Sequence, residues 1–211
     1  MVPRMSTTKP VLGPRSAGAH ALLLAFVGVG AAIVALVLVW LAVSRDAADV
    51  TVFLTNQARL DVDAGLDLPA GAVLLGDLVG VDLHVPDVPL GLRLLAAASS
   101  VLLFLSIAAG ALALAQVLRS VRVGRPFAGG SSTRLQVVAA SVLVGGVLAP
   151  MARDAAGFAA LDHLGLTGED APFLAQLTIP LTPLLLAVAV LGIAEAFRRG
   201  ALLADDVVGL V

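Results

Sequence analysis

Few side chains in this chain could do chemistry, and their spacing limits what that chemistry is. Cysteine is absent, which removes disulfides, thiolate nucleophiles and thiolate metal sites. His20, His84 and His163 lie too far apart in sequence to suggest a metal site. Asp162 and His163 form the one acid–histidine neighbour pair, but adjacent residues on a helix do not face each other. A surface pair is expected there, not a catalytic one. Asp61-x-Asp63 begins like a calcium loop and lacks the rest of the D-x-D-x-D-G pattern, so it reads as part of a solvated acidic face. Glu195, Arg198 and Arg199 stand at helical spacing for local ion pairs. No nucleophile with a base and no converging carboxylates can be assembled. The chain reads as non-enzymatic, with no catalytic residue, cofactor or metal expected.

The elements that carry these residues are apolar. Of 211 residues, 59% are hydrophobic and only 13% charged, against about a quarter charged in ordinary globular domains. Four runs, Ala21 to Val43, Leu94 to Leu118, Leu135 to Ala152 and Leu177 to Ala194, hold no charged residue. Each falls in the window of roughly 17–25 residues that crosses a hydrocarbon core as a helix. The expected fold is an all-α transmembrane bundle of four helices, with spans at about 21–43, 94–118, 135–152 and 177–197. A basic, disordered arm (1–20) precedes it, and a C-terminal tail (198–211) follows. The first run is longer than the apolar region of a signal peptide, so an uncleaved first span is expected. The span interiors lack ionisable residues, which argues against ion- or proton-coupled transport.

Loop 44–93 carries eight aspartates and short alternating runs at 50–54, 58–63 and 81–85, separated by Gly and Pro. This predicts a small strand-containing segment of three or four strands. Gly28, Gly30, Ala31 and Ala32 predict a close-packing face on span one, and Trp40 an interfacial anchor. Leu118 to Arg134 holds Arg119, Arg122, Arg125 and Arg134 without an acid. There, Gly124 and Pro126 predict a helix end, and Thr133-x-x-Gln136 a capping box for span three. A bend is expected near Pro150, followed by a continued or interfacial helix over 153–164. Asp170 is expected to act as an N-cap with Pro172 as an early helical proline, and a kink is expected at Pro180 and Pro183 in span four.

With both termini inside, nine Lys and Arg lie on the cytoplasmic side and four outside, while the acids divide three to twelve. By the positive-inside rule the protein is expected to be a multi-pass protein of the cell membrane with cytoplasmic termini and an extracytoplasmic 44–93 loop.

Two stretches carry a family resemblance. Gly124-Arg125-Pro126-Phe127 matches a Gly-x-Pro-Phe turn after the second span. Glu195, Phe197, Gly200, Leu203 and Asp206 match a closing Glu-x-Phe-x-x-Gly-x-x-Leu-x-x-Asp pattern. In these positions the chain resembles a bacterial family of small four-span membrane proteins known only as domain of unknown function 2975. Ala128-Gly129-Gly130 and Val207-Val208 depart from the usual pattern. Some members are encoded beside small helix-turn-helix regulators, so the resemblance implies a cytoplasmic transcriptional regulator as partner, without direct contact to nucleic acid. Two readings stand for the arginines, including Arg198 and Arg199: a collar for anionic headgroups of the lipid bilayer, or a docking surface for that protein. A sensory or regulatory module is the leading expectation, and a small transporter or permease-like subunit the alternative.

Overall fold

The structure, a computed structural model, describes residues 14–54, 80–123, 130–168, 172–174 and 176–208. Four helices are long and apolar enough to cross a membrane. They are α1 (Pro14–Ser44), α2 (Leu90–Arg122), α3 (Ser131–His163) and α4 (Leu181–Val208). The chain is a multi-pass membrane protein of mostly helical fold. A small sheet joins the helices at one end. Its strands are β1 (Ala48–Leu54), β2 (Gly80–Val85) and the two-residue β3 (Phe173–Leu174), in the order β2-β1-β3.

Side-chain size, not polarity, sorts the faces of the helices. On α1 the buried positions are Ala17, Gly18, Ala21, Gly28, Ala31 and Ala35, while Leu22, Phe26, Ile33, Leu36 and Trp40 point outward. In lipid large apolar side chains gain little by hiding, and small ones let backbones approach. A Cβ at Gly28 would come within 2.8 Å of Leu112 on α2, and one at Gly145 within 2.9 Å of Ser106. At Gly146 it would stand 2.4 Å from Pro183 of α4. Gly30, expected on the same packing face as Gly28, has nothing within 4 Å. The helices pack mainly on their sequence neighbours, α1 on α2, α2 on α3 and α3 on α4, as a row more than a closed ring.

The sheet end follows the opposite rule. Val50 and Val52 of β1 bury against Val85, Val88, Leu92, Ala156, Ala160 and Leu161. This is a water-type core with large aliphatic side chains inside. β1 and β2 pair antiparallel with Val50 opposite Leu83, and Gly157 lets α3 back directly onto the Thr51 carbonyl. The outward face is polar. Thr51 donates to Asp82 (2.8 Å) and His84 Nδ1 donates to Asp49 (2.7 Å), with both aspartates exposed. The expected strands at 50–54 and 81–85 are present, whereas 58–63 lies outside the described residues. The third strand instead comes from the α3–α4 connection, pairing Leu54 with Phe173.

Other boundaries differ from expectation for identifiable reasons. Residues 14–20, expected in the disordered arm, already belong to α1, where Ala17 is buried and Gly18 packs under Arg122 at the end of α2. The capping box is not formed. Gly130, with φ +98°, occupies the cap position, so Thr133 sits inside the first turn. α3 runs without a break through a five-residue π-helical segment, Val144–Leu148, in which the Ala149 N–H reaches the Val144 carbonyl. Pro150 follows at once. It has no N–H to donate, and the widened turn accommodates its ring. Pro180 and Pro183 do not kink α4. They stand before its start and in its first turn, where a missing N–H costs nothing. Asp170 lies outside the described residues, and Pro172 opens no helix but precedes β3.

Gly146→Ala is therefore expected to lower stability by about 1–3 kcal/mol through overpacking against the rigid Pro183 ring. Gly30→Ala, in open space, should leave stability unchanged or slightly raised. Thermal unfolding of both variants in mild detergent measures the contrast.

Candidate functional site at the helix ends opposite the sheet

At the end of the bundle away from the sheet, α2 closes on Arg119 and Arg122, α3 opens at Ser131, and the second half of α4 passes both. Val117, Leu135 and Ala194 are buried together with Phe197 packed against them, which fixes α4 to its neighbours at this level. The Ser120 and Ser131 hydroxyls lie 3.4 Å apart and tie α2 to α3. The Arg122 side chain lies over Gly18 of α1, which joins α1 to α2 at this end.

Glu195 sits one turn before the arginines and engages both of them. Arg198 donates from Nε to Oε2 (2.7 Å) and from Nη2 to Oε1 (2.8 Å), and Arg199 donates from Nε to Oε1 (2.8 Å). The i+3 and i+4 spacings on one helix bring the three groups together without a tertiary partner. Chemically this is a carboxylate held by three hydrogen bonds from two guanidinium groups, so the fork offsets charge and stiffens the helix.

The fork also corrects the expected end of the span. α4 continues through Gly200 to Val208, where the span was expected to end at 197 and a tail to follow. The local ion pairs and the following Ala201-Leu202-Leu203-Ala204 run outweigh one mid-helix glycine, which costs about 1 kcal/mol. Leu203 is 67% exposed and Leu202 similarly so. Asp206 lies within the same helix. Gly124, Arg125, Pro126 and Phe127 lie outside the described residues. The closing motif is thus divided by the geometry, with Phe197 facing inward to the bundle and Leu203 outward.

Two charged residues at the other end have roles that the sequence pattern did not reveal. The Asp154 carboxylate is 1% exposed. Its Oδ2 accepts the backbone N–H of Thr178 (2.7 Å), and its Oδ1 accepts from Arg153 (3.3 Å). Residues 176–180 are not helical, and backbone beside spanning helices needs such a partner. Arg93, in the first turn of α2, reaches the end of α1 and donates to the Arg45 carbonyl and to Asp46 Oδ1 (3.2 Å). A cation there satisfies carbonyls that the helix leaves open. Neither role follows from composition, since each depends on a segment far away in sequence. Asp162 and His163 are both exposed. Among the described residues no group of three potential metal ligands occurs.

No family model, curated protein or solved structure matches this chain.

Replacing Asp154 tests its part in holding the connection. Asp154→Ala strands a buried N–H and is expected to cost about 1–3 kcal/mol. Asp154→Asn, whose amide oxygen can still accept, should cost less. Hydrogen exchange at the Thr178 amide is expected to accelerate markedly in the alanine variant alone.

Proposed function

We propose that this chain is a non-enzymatic regulatory module of a bacterial cell membrane, with both termini in the cytoplasm, that docks a cytoplasmic protein on the projecting end of α4. The observation that carries this reading is the continuation of α4 for about three turns beyond Phe197, with Leu202 and Leu203 exposed. A helix anchored at Phe197 and exposed at Leu202 and Leu203 suits recognition in the groove of a partner protein. The Glu195 fork stiffens the base of that projecting end and itself carries a net positive charge, while Asp205 and Asp206 follow the leucines in sequence. The distribution of nine Lys and Arg against four supports the cytoplasmic placement of this end, and the acidic sheet suits the opposite side. The resemblance to domain of unknown function 2975 rests on motif residues at both helix ends and supports a transcriptional regulator as partner. The competing transporter reading has less support. Ser106 and Ser141, the polar side chains nearest mid-bundle, already donate to carbonyls of their own helix (2.7 and 2.8 Å).

Photo-crosslinking residues placed at Leu202 and Leu203 in cells are expected to capture one soluble protein, and Arg199→Glu should abolish that adduct while leaving membrane insertion intact. Recovery of lipid and self-adducts alone overturns the docking reading. Fluorescent-protein fusions after Val211 should fluoresce, whereas a periplasm-active phosphatase fused there should be silent.

A further inference from the structure

α1 and α3 both pack on α2 but make little contact with each other. Between them runs a groove of about 480 Å³, open along one side and floored by Gly110 and Ala111 of α2. Its walls are Leu24 and Val27 on α1 and Val138 and Val142 on α3. The small floor residues create the space. The two serines that border it, Ser106 and Ser141, have hydroxyls that bond back to their own helices. The lining therefore offers dispersion contacts and no unmet hydrogen bond, which fits a hydrocarbon chain and not a hydrated solute. Because the groove runs along spanning helices, its open side faces the bilayer.

Arginines stand beyond one end of the groove, outside its lining. Arg134, Val138, Ser141 and Gly145 recur at four, seven and eleven residues along a single face of α3, so Arg134 stands one turn below the wall of the groove. Arg134 is half-buried, and among the described residues it has no ion-pair partner. Arg119 and Arg122 close α2 at the same end. The one described carboxylate close by, Glu195, is occupied by Arg198 and Arg199. An apolar channel with an unpaired arginine one helical turn beyond its wall matches a lipid with an acyl tail and an anionic head.

We propose that the α1–α2–α3 groove binds one anionic phospholipid, with an acyl chain against Gly110 and Ala111 and its phosphate on Arg134. This is a defined site, distinct from the α4 tip, and it needs only the multi-pass placement. Basic pockets between spanning helices are suited to such headgroups, each arginine contributing on the order of fivefold in affinity.

Native mass spectrometry of the full chain released from mixed phosphatidylglycerol and phosphatidylcholine bilayers tests it. The wild type is expected to retain one phosphatidylglycerol in preference to phosphatidylcholine. Arg134→Gln should reduce that preference about fivefold, with Arg134→Lys restoring most of it. Ala111→Phe, which fills the groove, should reduce retention of both lipids. Its fold is checked by circular dichroism, and Ala111→Leu replaces it if it fails to fold. Unchanged preference in Arg134→Gln, or unchanged retention in the filled variant, overturns the proposal. Since the chain has no cysteine, Ala111→Cys adds a further check. Disulfide-linked dimers would show a second copy in the groove and would also overturn it, while quenching of a thiol-attached fluorophore by spin-labelled lipid supports it.

Discussion

Close approach of helix backbones through small residues is the contact on which the rest of the molecule depends. In lipid there is no gain in hiding a leucine, so helices associate where van der Waals packing is best and keep bulk outside. Gly28 against Leu112, Gly145 against Ser106 and Gly146 against Pro183 set the order of the row, one junction for each pair of neighbouring helices. Where the chain leaves the apolar layer, Val50, Val52 and Leu161 turn inward and Asp49 and Asp82 outward. The reversal marks the change of solvent within one continuous pair of helices. α2 and α3, each 33 residues long, span about 50 Å against a hydrocarbon core of about 30 Å, and the excess of α2 and α3 at one end carries the sheet.

That physics explains which features were legible in sequence. Composition and run length disclosed four spans, because hydropathy over some twenty residues depends on no partner. Val50–Leu54 and Val81–Val85 were readable as strands from alternation, since one face meets a core and the other meets water. The remaining features were set by distant contacts. Phe173 and Leu174 join the sheet by pairing with a strand more than a hundred residues earlier. Asp154 could not be told from the other acids until Thr178 was found against it. The Glu195 fork was readable because i+3 and i+4 spacings are local. The continuation of α4 past Gly200 was not, because a glycine after charged residues looks like a helix end unless the following leucines and alanines are weighed.

Among the described residues, buried or paired charge stands near the limits of the apolar runs. Arg93 closes α1, Asp154 closes the connection into α4, and Glu195 with its two arginines closes the apolar part of α4. Each replaces water for backbone or side-chain groups near the layer where water is lost. The apolar middle is left with serines bonded to their own helices.

The π-helical segment Val144–Leu148 has a consequence for α3 as a shared element. A π turn carries one residue more than an α turn, and one residue corresponds to about 100° of rotation. The two halves of α3 are thus out of phase. Before the segment the helix presents Leu135 to α4, within it Gly146 meets Pro183 of α4, and after it Ala156, Gly157 and Ala160 face β1. A regular helix would have to meet both partners along one unbroken stripe. The extra residue works as a phase shifter, letting a single rod serve a lipid-side partner and a water-side partner on separately set faces.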